Sequence, residues 1–367
     1  MGFKECPSKL PALNASWWSP SNCAALACFA ARGGCPTSSW KEATAPEVAQ
    51  SATLTGGPLV LVNAGANKGY AVGEFVQRFG EASFTVHDWH TNLTDIKKNM
   101  MLSCGYCGAC REPNPRSHRP LPPQGIHAHA VELMPANALV LKLMFERMHI
   151  PGTVHEMALS NYSGEAWRPA FFRTGGEDQG AQASKGPWSS KTEAMALDDW
   201  TARHAVRHIH MLSLDAEGWD MRILRGAHAL LEAKRIGVLE FEYAPRRWVT
   251  AEGGWVPLDA DKTRGAPHPA MLTAAQELSR TIGWLGRLGY RCYFQGRDAA
   301  APVLTATRRG IEACRNDIAT LGQANLLCAH APDVHARLRT LRVPADVDAP
   351  RSGGKGASSE FQLRRSR

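Results

Sequence analysis

Two short segments concentrate the residues that could do chemistry. The first is Asn63-Ala-Gly65-Ala-Asn67-Lys-Gly69, which ends the apolar run from Pro58. Two glycines four apart let the chain turn sharply and let a ligand come up to the backbone. The pattern is not the Gly-x-Gly-x-x-Gly that cradles a pyrophosphate, so a nucleoside without a diphosphate fits it better. A side chain at Gly65 is expected to occupy the ligand's space. The second segment is Asp215-Ala-Glu217-Gly218, at the end of another apolar run. A carboxylate there can take the proton of a reacting hydroxyl. Asp215 is the first choice for that base, Glu217 the second, and His210 on the same run a distant third. Asp215, Glu217 and Asp220 would also offer three oxygen donors to a cation. A helix N-terminus, which favours acids through its dipole, accounts for Glu217 and Asp220 without one, and no metal is expected.

Glu132 is the third candidate. It ends the run Ile126-His-Ala-His-Ala-Val131, and a carboxylate at such a strand end can accept both hydrogen bonds of a ribose diol. Asp88 competes, lying about 20 residues past the glycine turn, the usual spacing for a ribose-binding acid. Glu132 is preferred because a helix, a strand and Ala158-Leu159-Ser160 follow it at short intervals.

The elements that must position these residues are legible from periodicity. Val72, Phe75, Val76 and Phe79 lie at i, i+3, i+4 and i+7, so a helix follows the first strand and turn. A helix is expected from about Asn137 to Met148, with Leu139, Leu143 and Met144 on its buried face. Strands are expected at Thr153–Leu159, His208–Leu214, Ile236–Glu242, Tyr290–Phe294 and Ala324–Cys328. A helix between Asp220 and Ile236 gathers Ile223, Leu224, Ala227, Leu230 and Leu231 on one side, and another spans about 271–288. Strands alternating with helices point to an α/β fold with a mostly parallel sheet. Ligands of such sheets bind outside the carboxyl ends of the strands, where Glu132, Asp215 and Glu242 all fall.

The chain has 367 residues, 44% of them hydrophobic and 21% charged, which excludes low-complexity and collagen-like classes. Residues 1–56 read as an irregular cysteine-containing extension, 57–330 as one domain with a cysteine-bearing insertion at about 88–125, and 331–367 as a basic disordered tail. That tail holds part of the net charge of +8: residues 351–367 carry five Lys or Arg against one Glu. No aromatic-interleaved basic stripe accompanies the charge, so no nucleic-acid partner is expected. No run is long and apolar enough to span a membrane. Of the ten cysteines, Cys6, Cys23, Cys28 and Cys35 lie in the extension and Cys104, Cys107 and Cys110 in the insertion. These seven are expected to form disulfides or, with His87, His90 or His118 completing the second cluster, to hold zinc. Cys292, Cys314 and Cys328 fall on core elements, where buried thiols are the default and a Cys314–Cys328 pair is an alternative. Glycosylation-type triplets at Asn14, Asn92 and Asn161 lean weakly toward the secretory pathway, while residues 1–30 show no signal peptide. Trp188, Trp248 and Trp255 lie in expected loops, where they would stack on sugar faces or anchor packing.

Several of these blocks resemble one family in order. Leu61-Val-Asn-Ala-Gly-Ala-Asn-Lys-Gly69 resembles the first motif of the FkbM family of S-adenosylmethionine-dependent methyltransferases, and Val131-Glu-Leu-Met-Pro135 resembles its acidic second-strand motif. Met157-Ala-Leu-Ser-Asn-Tyr-Ser-Gly-Glu165 is similar to its third block. Leu197-Asp-Asp-Trp200, Leu212-Ser-Leu-Asp-Ala-Glu-Gly-Trp-Asp220 and Leu224-Arg-Gly-Ala227 are similar to its fourth. The resemblance implies a Rossmann-like class I methyltransferase sheet, mostly parallel with an antiparallel last strand. It implies S-adenosylmethionine as cofactor and methyl transfer to a hydroxyl of a carbohydrate or other small molecule. Asn63, Gly65, Asn67 and Gly69 would shape the cofactor loop, Glu132 would hold the ribose, and Ala158 and Leu159 would line the adenine. Asp215 and Glu217 would stand at the mouth of the site. The sequence departs from the family pattern at Asn63, usually an acid, and at Ser213, usually a lysine. Those departures keep a non-catalytic binding module as the alternative, with a nucleic-acid methyltransferase behind it.

Overall fold

The computed structural model describes residues 55–80, 85–96, 125–169, 189–251, 267–295, 304–321 and 324–340, together with Cys23, Ala45 and 48–51. The first strand, β1 (Leu59–Ala64), is buried at every position. It is followed by α1 (Tyr70–Phe79), α2 (Val86–Ile96), β2 (Ile126–Glu132), α3 (Pro135–Arg147) and β3 (Gly152–Glu156). Next come β4 (Ala158–Ser160), β5 (Gly164–Pro169), β6 (Ser189–Ala196), α4 (Leu197–Arg203), β7 (Ile209–Leu214), α5 (Asp220–Arg225), α6 (His228–Glu232) and β8 (Ile236–Tyr243). The described chain finishes with α7 (Pro245–Ala251), α8 (Pro269–Arg287), β9 (Arg291–Phe294), β10 (Leu304–Ala306), α9 (Arg308–Ala313), α10 (Arg315–Ala319), β11 (Ala324–Ala329) and α11 (Pro332–Thr340).

Eight strands form one sheet in the order β10-β9-β11-β8-β7-β1-β2-β3. The five from β8 to β3 are mutually parallel. The last strand, β11, runs antiparallel between β8 and β9, and β10 pairs antiparallel on the outer edge of β9. This is the α/β, Rossmann-like arrangement expected, with the antiparallel last strand in place. Leu141, Val72, Phe75, Trp89 and Val334 of α1, α2, α3 and α11 pack on one face. Trp200, Ile223, Leu231, Leu278 and Ile311 of α4, α5, α6, α8 and α9 pack on the other. Three further strands form a second sheet in the order β4-β6-β5.

The structure corrects several local expectations. The helix after β2 buries Ala138, Leu141, Met144 and Phe145, while Leu139 is 58% and Leu143 42% exposed. That helix is apolar on more than one side, so periodicity alone could not choose its inner face. The stretch expected as one strand over 153–159 splits at Met157: β3 pairs with β2, and β4 pairs with β6 in the small sheet. The helix expected after Asp220 is two, α5 and α6, broken around Gly226. A Cβ at Gly226 would lie 2.0 Å from the Ser160 carbonyl oxygen, so β4 and the helix break meet backbone to backbone. Helix α2 occupies the start of the expected insertion, and α11 lies where the tail was expected to begin. Cys104, Cys107 and Cys110 lie outside the described residues, as do Trp188 and Trp255.

Cysteines expected as buried thiols are paired. Cys292 and Cys328 face each other across β9 and β11 and form a disulfide, and Cys314 pairs with Cys23 of the N-terminal extension. The second bond ties a residue of that extension to the far side of the domain, 291 positions along the chain.

Buried imidazoles sit inside this frame. His129 Nδ1 and His155 Nε2 are 3.1 Å apart, with Trp200 edge-on to both rings. His210 Nδ1 accepts the Val60 backbone N–H at 2.9 Å, so that nitrogen must be unprotonated. Burial, reinforced by neighbouring histidines, holds His129 and His210 down to about 3 and His155 to about 4. An unfolded chain takes up those protons below about 6.5, whereas the folded one resists until its own lower values. Their contribution to stability is therefore complete above pH 6.5 and is lost as the pH falls. Carboxyls with raised values pull the opposite way, but they cancel in a comparison of variants. A chain carrying His129→Leu and His155→Phe is expected to lose less melting temperature than the wild type between pH 6.5 and 4.5. Equal losses in thermal melts would show that this pair does not set the acid limit.

Candidate active site

Strands β1 and β7 lie side by side, but their chains leave for opposite faces of the sheet, which opens a crevice beyond their carboxyl ends. The backbone crosses this point closely. Asp215 N donates to Ala64 O at 2.9 Å, and Gly65 N donates to Val131 O at 3.0 Å. Gly65 has φ +74°, and a Cβ there would lie 2.0 Å from the Asp215 carbonyl oxygen. The expectation that a side chain at Gly65 would fill ligand space is thus corrected: it would first collide with the backbone of the acidic turn.

The cavity at this crevice is lined by Ala64, Gly65, Asn67, Glu132, Ala158, Leu159, Asp215 and Glu217 among the residues the sequence singled out. Leu133, Met134, Asn137, Met157, Trp219 and Ile223 add wall that sequence reasoning did not assign. Glu132 is buried and firmly aimed. Its Oε2 accepts Asn67 N at 2.6 Å and its Oε1 accepts Met134 N at 2.7 Å. Asn67 can offer that amide because it adopts a left-handed conformation, φ +46°, which asparagine tolerates better than most residues. Each carboxylate oxygen keeps a second lone pair, so the group can still accept from a diol in the cavity.

Two expected cofactor residues do not line the cavity. Gly69 caps α1 with φ +77°, and a Cβ there would press on the side chains of Trp89 and Leu141. It serves helix packing and leaves no cradle for a phosphate. Asn63 is buried one residue before the cavity wall; its Nδ2 reaches Ser213 O at 3.4 Å, and its Oδ1 has no partner among the described residues. Asp88 is absent from the site: it caps α2 by accepting Thr85 N and Oγ1 at 2.9 and 2.6 Å. His210 is bonded to the start of β1, at the opposite end of the sheet. Trp248 is buried in α7, its indole N–H donating to Glu242 O at 3.1 Å, so it anchors packing and presents no stacking surface.

Five carboxyls gather around the ends of β7 and β8. Asp215 follows the end of β7 and is exposed at the cavity. The protein packed around its carboxyl nonetheless raises it above the ordinary range; Arg247 pulls it back down and Glu240 adds to the rise. Asp220 is fully buried and turned inward, accepting Gly218 N at 3.3 Å and Glu242 N at 3.4 Å. Burial and the neighbouring Asp215 push it up to about 7. Glu242 is likewise raised, by burial first and Asp215 second. Arg247 Nη1 reaches Glu217 Oε2 at 2.7 Å and Glu242 Oε2 at 3.0 Å. Sequence reasoning passed over Arg247. The signal was Pro245, a residue favoured at the first position of a helix, which places Arg247 in a first turn directly beyond β8. Among the described residues no group of three or more His, Cys, Asp or Glu is placed to hold a metal ion.

Comparison with known protein families matches residues 63–292 to the methyltransferase FkbM domain, more than half of the chain. A search of curated proteins gave no match.

The close crossing makes a stability test. Gly65→Ala is expected to cost about 1–3 kcal/mol in urea denaturation, from left-handed backbone strain together with the collision at Asp215. Gly286→Ala, in α8 with nothing within 4 Å of the added Cβ, is expected to leave stability unchanged or raised. Equal effects at the two positions would remove Gly65 from its structural role.

Proposed function

The chain belongs to the FkbM methyltransferase family, and on that premise we propose that it is an S-adenosylmethionine-dependent O-methyltransferase acting on a hydroxyl of a carbohydrate or other small molecule. The observation that carries this reading is the presence of two carboxylates on one cavity: Glu132, buried and fixed by two backbone amides, and Asp215, exposed to it. The residues fit the cofactor. Glu132 would accept from the ribose diol, and Leu133, Met134, Ala158 and Leu159 offer an apolar wall for the adenine. The unpartnered Oδ1 of Asn63 is an acceptor where the family has an acid, so the departure there keeps an oxygen in place. The filled space beside Gly69 agrees with a nucleoside that carries no phosphate.

When bound, S-adenosylmethionine supplies a methyl group already activated on a sulfonium. The protein then has to orient the acceptor, exclude water and remove a proton. Asp215 is the base in this reading. A raised carboxyl is a stronger base than an ordinary one, at the cost of needing a higher pH to be ionised. Activity should therefore fall on the acid side as Asp215 takes up its proton. Glu217, held by Arg247, stands beside it at the cavity mouth. The disulfides Cys23–Cys314 and Cys292–Cys328 support a place in an oxidising compartment. Among the described residues no helix is long and apolar enough to cross a membrane.

Binding and turnover test the two carboxylates separately. S-adenosylmethionine and its demethylated product are expected to raise the melting temperature of the wild type. Glu132→Ala should weaken the cofactor by ~1–3 kcal/mol, the usual cost of losing a charged hydrogen bond, and Asp88→Ala should leave it unchanged. Asp215→Asn should abolish transfer of labelled methyl to a panel of sugars and small alcohols while cofactor affinity is kept. Absence of any shift with either ligand would sink the reading, and a protein that binds both but methylates none of the panel would favour the binding module.

A further inference from the structure

Helix α7 is tied to the acidic turn at more than one level. Gly218 has φ +100°, and a Cβ there would lie 2.6 Å from the Arg247 carbonyl oxygen, so the turn rests on the α7 backbone. The buried indole of Trp248 donates to Glu242 O at 3.1 Å and fixes the start of α7 to the end of β8. The Arg247 backbone is thus held from both sides, and its guanidinium spans Glu217 at 2.7 Å and Glu242 at 3.0 Å. Glu217 itself sits in the left-handed region, φ +53°, where a non-glycine residue needs support from its surroundings. Its carboxylate is ion-paired with Arg247.

From this geometry we propose that Arg247 is the positioning residue of the site: it locks the Asp215–Gly218 turn against α7 and keeps Asp215 a carboxylate able to take a proton. The inference rests on the reading of Asp215 as the base. Among the described residues carboxylates crowd Asp215: Glu240 and Glu242 on β8 and Asp220 beyond its own turn interact with it unfavourably, and Glu217 of that turn and Glu132 line the same cavity. Arg247 is the group that acts in the other direction on Asp215. A nearby cation favours the charged form of a carboxyl, so loss of Arg247 should let the Asp215 midpoint rise. Both carboxylates are met by the single nitrogen Nη1, a contact that a lysine ammonium of similar reach can also make.

The test reads Asp215 directly, without cofactor or acceptor. Protein labelled with carbon-13 at aspartate carboxyls is titrated by NMR, and the Asp215 signal is assigned by its loss in Asp215→Asn. In Arg247→Gln the Asp215 midpoint is expected to rise by about one unit or more. In Arg247→Lys it should stay within about half a unit of the wild type, because the charge remains. Calorimetry with S-adenosylmethionine should give an affinity for Arg247→Gln within about threefold of the wild type, since the ribose acid is Glu132. An unmoved midpoint in a folded Arg247→Gln chain overturns the proposal. So does failure of both variants to fold, which would make Arg247 a residue of the fold alone. A midpoint that moves while Asp215→Asn keeps full turnover would uphold the control of Asp215 by Arg247 and instead remove Asp215 as the base.

Discussion

The site depends on one crossing. Strands β1 and β7 are parallel neighbours, and one chain leaves toward α1 while the other leaves toward α5 on the opposite face. Neighbouring chains that part in this way cannot fill the space between them, so a crevice is a consequence of topology and not of any side chain. What side chains decide is how narrow it is. Gly65 lets the backbone of the first turn come against the Asp215 carbonyl, and the bond from Asp215 N to Ala64 O carries the β1–β7 ladder one step beyond the end of β7. The acidic turn is therefore built on the glycine turn. The two motifs, about 150 residues apart in sequence, form one object.

That object concentrates negative charge where the sheet is least able to solvate it. Glu132, Asp215, Glu240 and Glu242 all stand at the carboxyl ends of buried parallel strands. Backbone amides and one guanidinium offset the cost unevenly. Glu132 takes two amides and is held as a rigid acceptor. Asp220 takes two longer bonds and titrates near neutrality, serving the turn from inside. Glu217 and Glu242 share Arg247, and Asp215 feels it without a bond to it among those described. Carboxyls of the same chemistry thus meet different surroundings, and Asp215, exposed at the cavity, shares its wall with Glu132 and Glu217.

Much of this was legible in the sequence because it follows from short-range rules. Buried parallel strands read as apolar runs, as Leu59–Ala64 and Ile209–Leu214 do, and glycine or acidic turns mark their ends. The order of motifs then supplied the fold. What was not legible depended on contacts between distant segments. Nothing local distinguishes the inner face of α3, since Leu139 and Leu143 are as apolar as Leu141; the packing partner chooses. Strand β4 changes sheets at Met157 because β6 is there to receive it, about 35 residues later. Gly69 shares a motif with Gly65, but its partner is Trp89, in a helix hidden within an expected insertion. Arg247 escaped notice because its value lies in two acids that the chain brings to it from other strands.

The antiparallel side of the sheet shows what stabilises the part that carries no site. Strand β9 is short, and the family match ends at residue 292, inside it. Here the chain adds covalent bonds. Cys292–Cys328 joins β9 and β11 at one register position, and Cys23–Cys314 holds Cys23 in the same core as Ile311 and Ile318. The second bond closes a loop containing nearly the whole domain, and in the chain-entropy model a loop of that length constrains the unfolded state most. The parallel half of the sheet is set by topology and ends in carboxylates. The antiparallel half is stapled and supports α8, which in turn packs against α7, with Met271 and Trp248 belonging to one core. The helix that carries Arg247 to the acidic turn is therefore held between the two halves, so the cysteines bear on the site through packing, although no cysteine among the described residues lines the cavity.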